Sequence, residues 1–241
     1  MKLTTVEGMT SEIFVPLTPD PVFTELKKPL SECKVAFITA GGIHNKNQTT
    51  FNTSGDFSYR TIKFDTPSSE LMVTHGGFDN SDINKDVNAM LPIDRLHELV
   101  KEGFIGSLPE ETYTFMGGGG NVEKFKNETG PEIARKLKEQ GVDIVLCTGG
   151  CGTCHRSATI VTRACEAEGM SCCVIAALPP FARQQGAPRI TAPHVPIGSN
   201  AGEPNNKEMQ TAILKESLEW VRDCPQFNGL KVLPYEYRHN V

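Results

Sequence analysis

The sequence predicts an α/β fold in which a mainly parallel sheet is flanked by helices. Several short apolar runs without polar interruption are typical of buried parallel strands, and helical segments lie between them. Two of these runs, at residues 34–42 and 71–77, end in a pair of glycines. Ligands gather at the carboxyl ends of parallel strands, so we expect the active site there. Two Rossmann-like lobes are an open variant of this fold.

The composition favours three segments. Residues 1–32 are rich in proline and threonine and have no sustained period, which predicts an extended N-terminal arm. A four-glycine run at residues 117–120 is the candidate connector between lobes. We therefore expect a first α/β lobe at residues 33–120 and a second at residues 121–241, which carries a Cys-x-x-Cys motif.

Charge and apolar content exclude several classes of function. The chain has 241 residues and a formal net charge of -5 without a Lys/Arg-rich run, which disfavours nucleic-acid binding. No apolar run approaches the roughly 20 residues of a membrane span, and the N-terminus lacks the apolar core of a secretory signal. We expect a cytoplasmic protein, whose 8 cysteines are reduced, metal-bound or catalytic rather than structural disulfides.

In the first half of the chain, strands are expected at residues 34–41, 60–64 and 71–74. An amphipathic helix at residues 92–102 ends at Gly103. An alternating Asp/Asn run at residues 79–88 invites a calcium interpretation. Since it lacks the central glycine and closing glutamate of a calcium loop, turns and caps are favoured.

In the second half, Thr129 and Glu132 match a capping box that opens a helix ending at Gly141. Strands are predicted at residues 172–177 and 189–192, and a terminal amphipathic helix at residues 206–222. The proline-rich residues 179–204 are otherwise expected to form a loop, and the tail to be irregular.

Residues 142–168 are the chemically distinctive stretch. They predict a buried strand, a glycine-broken turn with Cys151 and Cys154, and a helix whose first turn holds Cys154. A thiol at a helix N-terminus meets unpaired N–H groups and the positive end of the dipole, which favours the thiolate. A second thiol three residues later can form a disulfide with it, so the motif predicts redox chemistry.

Other interpretations of these cysteines are weaker. Cys151, Cys154 and His155 match c-type haem attachment, which belongs with export. Adding Cys147 gives the spacing of an iron–sulfur cluster that cleaves S-adenosylmethionine, but Cys147 closes an apolar strand. Zinc would also need Cys147, and no second cysteine pair lies at zinc-ribbon distance. The remaining cysteines are interpreted as structural: Cys33, Cys165, Cys172, Cys173 and Cys224.

Four stretches resemble a known family: residues 75–79 (HGGFD), 86–96, 148–154 (TGGCGTC) and 187–202. They resemble the selenoprotein subunits of the glycine, sarcosine, betaine and D-proline reductases of amino-acid-fermenting anaerobes. Within this family, the short chain and the His-Arg-Ser-Ala run after Cys154 resemble the D-proline reductases. Family members have selenocysteine where this sequence has Cys151.

The resemblance implies reductive cleavage of the D-proline ring at the Cα–N bond, giving 5-aminovalerate. Cys151 would be the nucleophile and Cys154 the resolving thiol. A partner subunit would supply a pyruvoyl group, and an external dithiol or redox protein the electrons, while this chain itself would hold no cofactor or metal. Glycine, sarcosine or betaine reduction and a general thiol–disulfide carrier are the alternatives.

Further site residues are predicted from their side-chain chemistry. Arg60 and Arg156 are candidates for the substrate carboxylate because a guanidinium fork fits it, and Tyr59 beside Arg60 is included with them. His75, at a strand end before two glycines, is a candidate to exchange a proton with the departing amine. The partner interface is expected at residues 1–32 or 179–204.

Overall fold

The computed structural model describes residues 21–117 and 122–238. Residues 1–20 of the predicted arm and most of the four-glycine run lie outside the described residues. The strands of the described part are β1 (Val35–Thr39), β2 (Ile43–Asn45), β3 (Tyr59–Lys63), β4 (Leu71–Val73), β5 (Glu111–Phe115), β6 (Ile144–Gly149), β7 (Ser171–Ala176), β8 (Arg189–His194) and β9 (Gly229–Glu236).

Seven of these strands form one sheet in the order β3-β5-β1-β6-β7-β8-β9. Every neighbouring pair is parallel except β3 with β5. β2 and β4 form a separate antiparallel pair. The predicted α/β fold with a mainly parallel sheet is therefore confirmed.

Strands from both predicted lobes lie side by side in this sheet. β1 pairs with β5 on one side and with β6 on the other, so a single sheet runs across the predicted boundary. Two Rossmann-like lobes are not confirmed, and the division at residue 120 stays a prediction.

Helices cover both faces of the sheet, because successive β1 side chains enter different apolar clusters. Val35 and Phe37 pack with helices α2 and α7, whereas Ala36 and Ile38 pack with α4 and α5. The helices of the described part are α1 (Ser81–Lys85), α2 (Ile93–Lys101), α3 (Val122–Lys124), α4 (Gly130–Glu139), α5 (Gly152–Ala167), α6 (Pro179–Gln184) and α7 (Lys207–Asp223). None of these combines the length and apolar character that a membrane crossing requires.

Several local predictions need correction. The tail expected to be irregular forms β9, whose register with β8 adds a parallel edge strand. The proline-rich loop contains α6, because prolines at the first positions of a helix cost it no hydrogen bond. The Thr129 side chain makes no capping hydrogen bond to α4, because Thr129 is the last residue of a π-helical turn that follows α3. Its hydroxyl donates to the Phe57 carbonyl at 2.8 Å instead.

The Asp/Asn run forms turns and caps, as favoured. The Asp79 carboxylate accepts from the Ser81 N–H at 2.9 Å, and the Asp86 carboxylate accepts from the Asn88 N–H at 3.0 Å. Ser199 and Tyr237 both donate to Asp82 at 2.6 Å, so this carboxylate joins three distant segments. These carboxylates have structural partners within the protein.

The described part of the arm is anchored by a buried ion pair. Arg189 and Glu166 are 1% and 0% exposed, and Nη1 of Arg189 lies 2.7 Å from the Glu166 carboxylate. Arg189 also donates to the Thr24 carbonyl at 2.7 Å and lies 4.0 Å from the centroid of the Phe23 ring. The ion pair therefore holds residues 23–24 against the start of β8 and the end of α5.

Arg189→Met should destabilise the fold by about 3–5 kcal/mol, because it leaves the Glu166 carboxylate buried without its cation. Burial already raises the pKa of Glu166, and the Arg189 charge opposes that rise. In the variant the folded-state pKa rises further, so stability is retained at acidic pH, where Glu166 is protonated, and is lost as pH rises. Urea unfolding at several pH values measures this effect.

Arg135→Met is the matched control, because it removes an exposed Arg135–Glu139 contact of 4.0 Å. Its unfolding midpoint should stay near that of the parent protein. Equal midpoints for the two variants at neutral pH would contradict the anchoring role of Arg189.

Candidate active site

The cysteine pair lies directly after the carboxyl end of β6, as predicted. Cys151 occupies the N-cap position of α5 with an extended backbone (φ −70°, ψ −176°), and Cys154 lies in the first turn. Cys151 is partly exposed, whereas Cys154 is fully buried. The fold therefore gives the two thiols different access to solvent.

The two sulfurs form an asymmetric pair. Their Sγ atoms lie 2.9 Å apart, and the Thr153 hydroxyl lies 3.0 Å from Cys151 Sγ. The hydrogen bond from Cys154 is the main reason that the pKa of Cys151 falls to about 6; Thr153 and the backbone N–H groups of residues 153 and 154 assist, against burial. Burial raises the pKa of Cys154 well above its usual value. At neutral pH, Cys151 is the thiolate and Cys154 the thiol.

His75 completes a chain of hydrogen bonds behind the pair. Its Nδ1 accepts from the Gly77 N–H at 2.9 Å, and its Nε2 lies 3.0 Å from Cys154 Sγ. Burial lowers the pKa of His75 to about 4, so the ring is neutral at pH 7. Because Nδ1 is an acceptor, the ring proton is assigned to Nε2. His75 therefore donates to Cys154, which in turn donates to Cys151.

The same hydrogen bond bears on metal binding. Ligand atoms of His75, Cys151 and Cys154 lie within 4.8 Å of one another, a donor set that zinc accepts. To bind a metal, Nε2 would need a lone pair, and the ring proton would have to move to Nδ1. A proton on Nδ1 would then face the hydrogen of the Gly77 N–H, and the hydrogen bond between them would be lost. The site is therefore better suited to a hydrogen-bonded thiol pair than to zinc.

His155 stabilises the turn that carries Cys151. From the sequence it was considered only as a haem or zinc residue. Its Nε2 accepts from the Leu178 N–H at 3.2 Å, so Nδ1 carries the proton and donates to the Cys151 carbonyl at 2.8 Å. The side chain is fully buried, which lowers its pKa to about 4. Both ring nitrogens are thus occupied, and the zinc set that includes His155 is not assembled.

Asn200 supports the turn from the other side and was missed by sequence reasoning. Its Nδ2 donates to the Gly149 carbonyl at 2.7 Å and to the Ile175 carbonyl at 3.2 Å. It therefore joins the carboxyl ends of β6 and β7. Only its place in the stretch 187–202 drew attention to it, because nothing local in the sequence reveals a partner 51 residues away.

Two aromatic rings lie against the glycines that flank Cys151. A Cβ atom on Gly150 would lie 2.4 Å from a Phe78 ring carbon, and one on Gly152 would lie 2.9 Å from a Phe181 ring carbon. The Phe78 ring also packs on His75, with centroids 4.4 Å apart. A side chain at either glycine would therefore displace an aromatic ring, and both neighbours of Cys151 lie against apolar surfaces.

Of the further predicted site residues, His75 contacts the cysteine pair, whereas Arg60 and Tyr59 contact other residues. Arg60 donates to the Thr49 carbonyl at 2.8 Å and stacks 4.2 Å from the Phe51 centroid. The Tyr59 hydroxyl donates to the Glu132 carboxylate at 2.6 Å. Arg156 is buried on α5, two residues beyond Cys154. Substrate binding by these three side chains stays a prediction.

Comparison with known proteins agrees with the motif resemblance. Residues 6–150 match the family profile of glycine/sarcosine/betaine reductase selenoprotein B, and the match ends one residue before Cys151. The chain belongs to this family. It is 55% identical over 235 residues to the D-proline reductase subunit gamma of Acetoanaerobium sticklandii, covering 98% of this chain and 97% of the relative.

Longer relatives are more distant. The chain is 32% identical over 231 residues to the glycine reductase complex component B subunit gamma of Carboxydothermus hydrogenoformans, covering 88% of this chain and 51% of the relative. It is 29% identical over 210 residues to the betaine reductase complex component B subunit beta of Peptoclostridium acidaminophilum. It thus spans about half the length of these family members. No solved structure matches the chain.

The pH dependence of alkylation tests the thiolate assignment in this family member. The rate of Cys151 labelling by iodoacetamide should rise with pH to a plateau, with its midpoint near the Cys151 pKa of about 6. Cys154→Ala removes the principal hydrogen bond to the thiolate, so the midpoint should move toward about 8.5. Mass spectrometry of the labelled peptide gives the rates.

Cys224→Ala is the control for removal of a buried thiol, since Cys224 lies between α7 and β9. Its midpoint should equal that of the parent. An unshifted midpoint in Cys154→Ala would show that the sulfur–sulfur hydrogen bond does not set the pKa of Cys151.

Proposed function

We propose that this chain is the nucleophile subunit of a D-proline reductase, which cleaves the ring Cα–N bond to give 5-aminovalerate. The observation that carries the proposal is the asymmetric pair, with a thiolate at Cys151 and a buried thiol 2.9 Å away at Cys154. The identity of 55% to a D-proline reductase subunit over nearly the whole of both chains supports D-proline as the substrate.

In the first half of the proposed reaction, Cys151 Sγ attacks Cα of D-proline. The S–Cα bond forms, the Cα–N bond breaks, and nitrogen takes the electron pair and a proton. The Cys154 thiol is the nearest proton donor that the described residues place beside the nucleophile. A pyruvoyl group on a partner subunit would make nitrogen a better leaving group.

In the second half, Cys154 attacks Cys151 Sγ. The S–S bond forms, the S–Cα bond breaks, and Cα takes the electron pair and a proton to give 5-aminovalerate. The two thiols are oxidised to a disulfide, and the ring is reduced. An external dithiol or redox protein then restores the thiols by attacking Cys151, the exposed sulfur of the pair.

The role proposed for His75 differs from the one expected from sequence. A neutral ring with Nδ1 engaged by Gly77 has no free lone pair to act as a base. Its Nε2–H points to Cys154 and would stabilise the thiolate that forms there once Cys151 is consumed. His75 therefore serves the resolving step rather than proton transfer to the amine.

Phe78 and Phe181 are proposed as the walls beside the substrate ring. Both rings pack on the glycines next to Cys151, so in the proposed complex they would lie on either side of a molecule bound at the thiolate. The pyrrolidine ring carries methylene groups that such surfaces would desolvate favourably. For the carboxylate, Arg60, Arg156 and Tyr59 remain the proposed candidates.

The decisive assay combines the chain with its pyruvoyl partner, D-proline and a dithiol, and measures 5-aminovalerate. Product is expected, at a lower rate than with selenocysteine at position 151, since selenium is the stronger nucleophile and its bond to carbon breaks more readily. Absence of 5-aminovalerate in both forms would refute the proposal. The family profile keeps glycine, sarcosine and betaine as the competing substrates, so each is assayed in parallel.

Variants of the two cysteines should stop the reaction at different steps. Cys154→Ser retains the nucleophile, so it should form one covalent substrate adduct on Cys151 and then stop. Cys151→Ser should form no adduct. Intact-protein mass spectrometry after incubation of the complex with D-proline separates the two outcomes.

Cys224→Ser should behave as the parent in this experiment, because its thiol lies outside the site. Equal adduct yields from the Cys151 and Cys154 variants would rule out the assigned division of roles.

Removing the ring of His75 should slow resolution more than attack. His75→Leu removes the donor to Cys154, and a hydrogen bond to a charged group corresponds to a rate loss on the order of 10- to 100-fold in that step. The adduct should therefore accumulate during single turnover. Rapid-quench mass spectrometry of the complex follows its formation and decay.

His75→Gln supplies an amide N–H near the position of Nε2 and should restore part of the decay rate. A loss of adduct formation with normal decay in His75→Leu would instead assign His75 to the first step.

A further inference from the structure

The thiol pair is complete within this chain and needs no partner to become a disulfide. Cys151 is the partly exposed member, and every other cysteine is buried. The resolving sulfur of Cys154 already lies 2.9 Å from Cys151 Sγ. An oxidant that places a leaving group on Cys151 Sγ therefore gives a product whose sulfur lies next to the thiol of Cys154.

We propose that the chain alone is a thiol peroxidase that reduces small hydroperoxides at Cys151, with Cys154 as the resolving thiol and an external dithiol as the reductant. This activity goes beyond D-proline reduction and requires neither the pyruvoyl partner nor the amino acid.

The proposed chemistry balances in two steps. The Cys151 thiolate attacks the terminal peroxide oxygen, the S–O bond forms and the O–O bond breaks, and the leaving oxygen takes a proton as water or alcohol. Cys154 then attacks Cys151 Sγ of the sulfenic acid, the S–S bond forms, the S–O bond breaks, and water leaves. Two thiols are oxidised, one hydroperoxide is reduced, and the dithiol regenerates the pair.

The surroundings of Cys151 favour the first step. The Thr153 hydroxyl lies 3.0 Å from its Sγ, and the backbone N–H groups of residues 153 and 154 point to the same sulfur. These donors stabilise the thiolate, which is the form of cysteine that attacks a peroxide.

The position of Cys154 favours disulfide formation over further oxidation. A sulfenic acid without a nearby thiol proceeds to sulfinic acid, which is irreversible in most proteins. Here the resolving sulfur is buried against Cys151 and accepts the His75 Nε2–H, which favours its thiolate during attack. The other cysteines are buried, which limits their access to peroxide. Burial also raises the pKa values of Cys147 and Cys172 well above the usual value, and that of Cys173 to about 12.

The first test uses the full-length chain alone, reduced and freed of dithiol, with hydrogen peroxide as the probe. One equivalent should produce a Cys151–Cys154 disulfide, seen as the loss of two hydrogens in the intact mass. Cys154→Ser should give a Cys151 sulfenic acid that dimedone traps and that excess peroxide converts to sulfinic acid. Cys224→Ser should match the parent.

The second test measures the rate. At pH 7 more of Cys151 is thiolate than in free cysteine, but a thiolate of lower pKa is less nucleophilic. Oxidation should therefore exceed that of free cysteine by roughly twofold. With dithiol in excess, the parent should consume peroxide catalytically, and Cys151→Ser should consume it at the rate of the dithiol alone.

A parent rate equal to that of Cys151→Ser, or sulfinic acid forming as readily in the parent as in Cys154→Ser, would overturn the peroxidase proposal. Neither assay contains D-proline or the partner subunit. Their failure is thus distinct from a failure of the proposed reductase activity, which requires both.

Discussion

The hydrogen bond between the thiol of Cys154 and the sulfur of Cys151 is the interaction on which the site depends. It lowers the pKa of Cys151 to about 6, and burial of its donor keeps Cys154 protonated. In the proposed reaction each thiol depends on the other, because the Cys154 thiol stabilises the Cys151 thiolate and later attacks the same sulfur. The donor is fixed in turn by His75, whose tautomer follows from the Gly77 N–H.

Several segments at the carboxyl end of β6 position the two cysteines for this hydrogen bond. The loop that carries Cys151 connects β6 to the first turn of α5. His155 donates a hydrogen bond to the Cys151 carbonyl, and Asn200 donates one to the Gly149 carbonyl. Each support comes from a different segment, so the position of Cys151 reflects tertiary packing as well as the helix N-terminus. The rings that pack against the neighbouring glycines leave no room for a side chain there, which explains why a reactive cysteine is bordered by residues without one.

Much of this organisation follows from local sequence, and the remainder depends on long-range contacts. The strand, turn and helix around Cys151 were predictable because apolar run, glycines and cysteine spacing agree with one another. The role of His155 was not, since its partner Leu178 lies 23 residues away, and the motif that it completes suggested haem or zinc. Strand β9 was missed because Pro234 and charged residues interrupt its period, and these are tolerated at a sheet edge. The prediction that Thr129 begins a helix was wrong, because a capping pattern can also occur inside a longer helical segment that starts earlier in the chain.

The hydrogen-bond donors around Cys151 also affect how well sulfur can replace the selenium that the family resemblance places at this position. A selenol is acidic enough to ionise readily, so a selenolate would need little help from its surroundings. With cysteine, the same ionisation requires Cys154, Thr153 and the α5 N–H groups together, and they bring the pKa to about 6. Ionisation at neutral pH is therefore retained in the sulfur form. In the proposed reaction, sulfur remains the weaker nucleophile in the attack on Cα and has the stronger bond to carbon in the resolving step, and the hydrogen bonds of the described residues do not offset these differences.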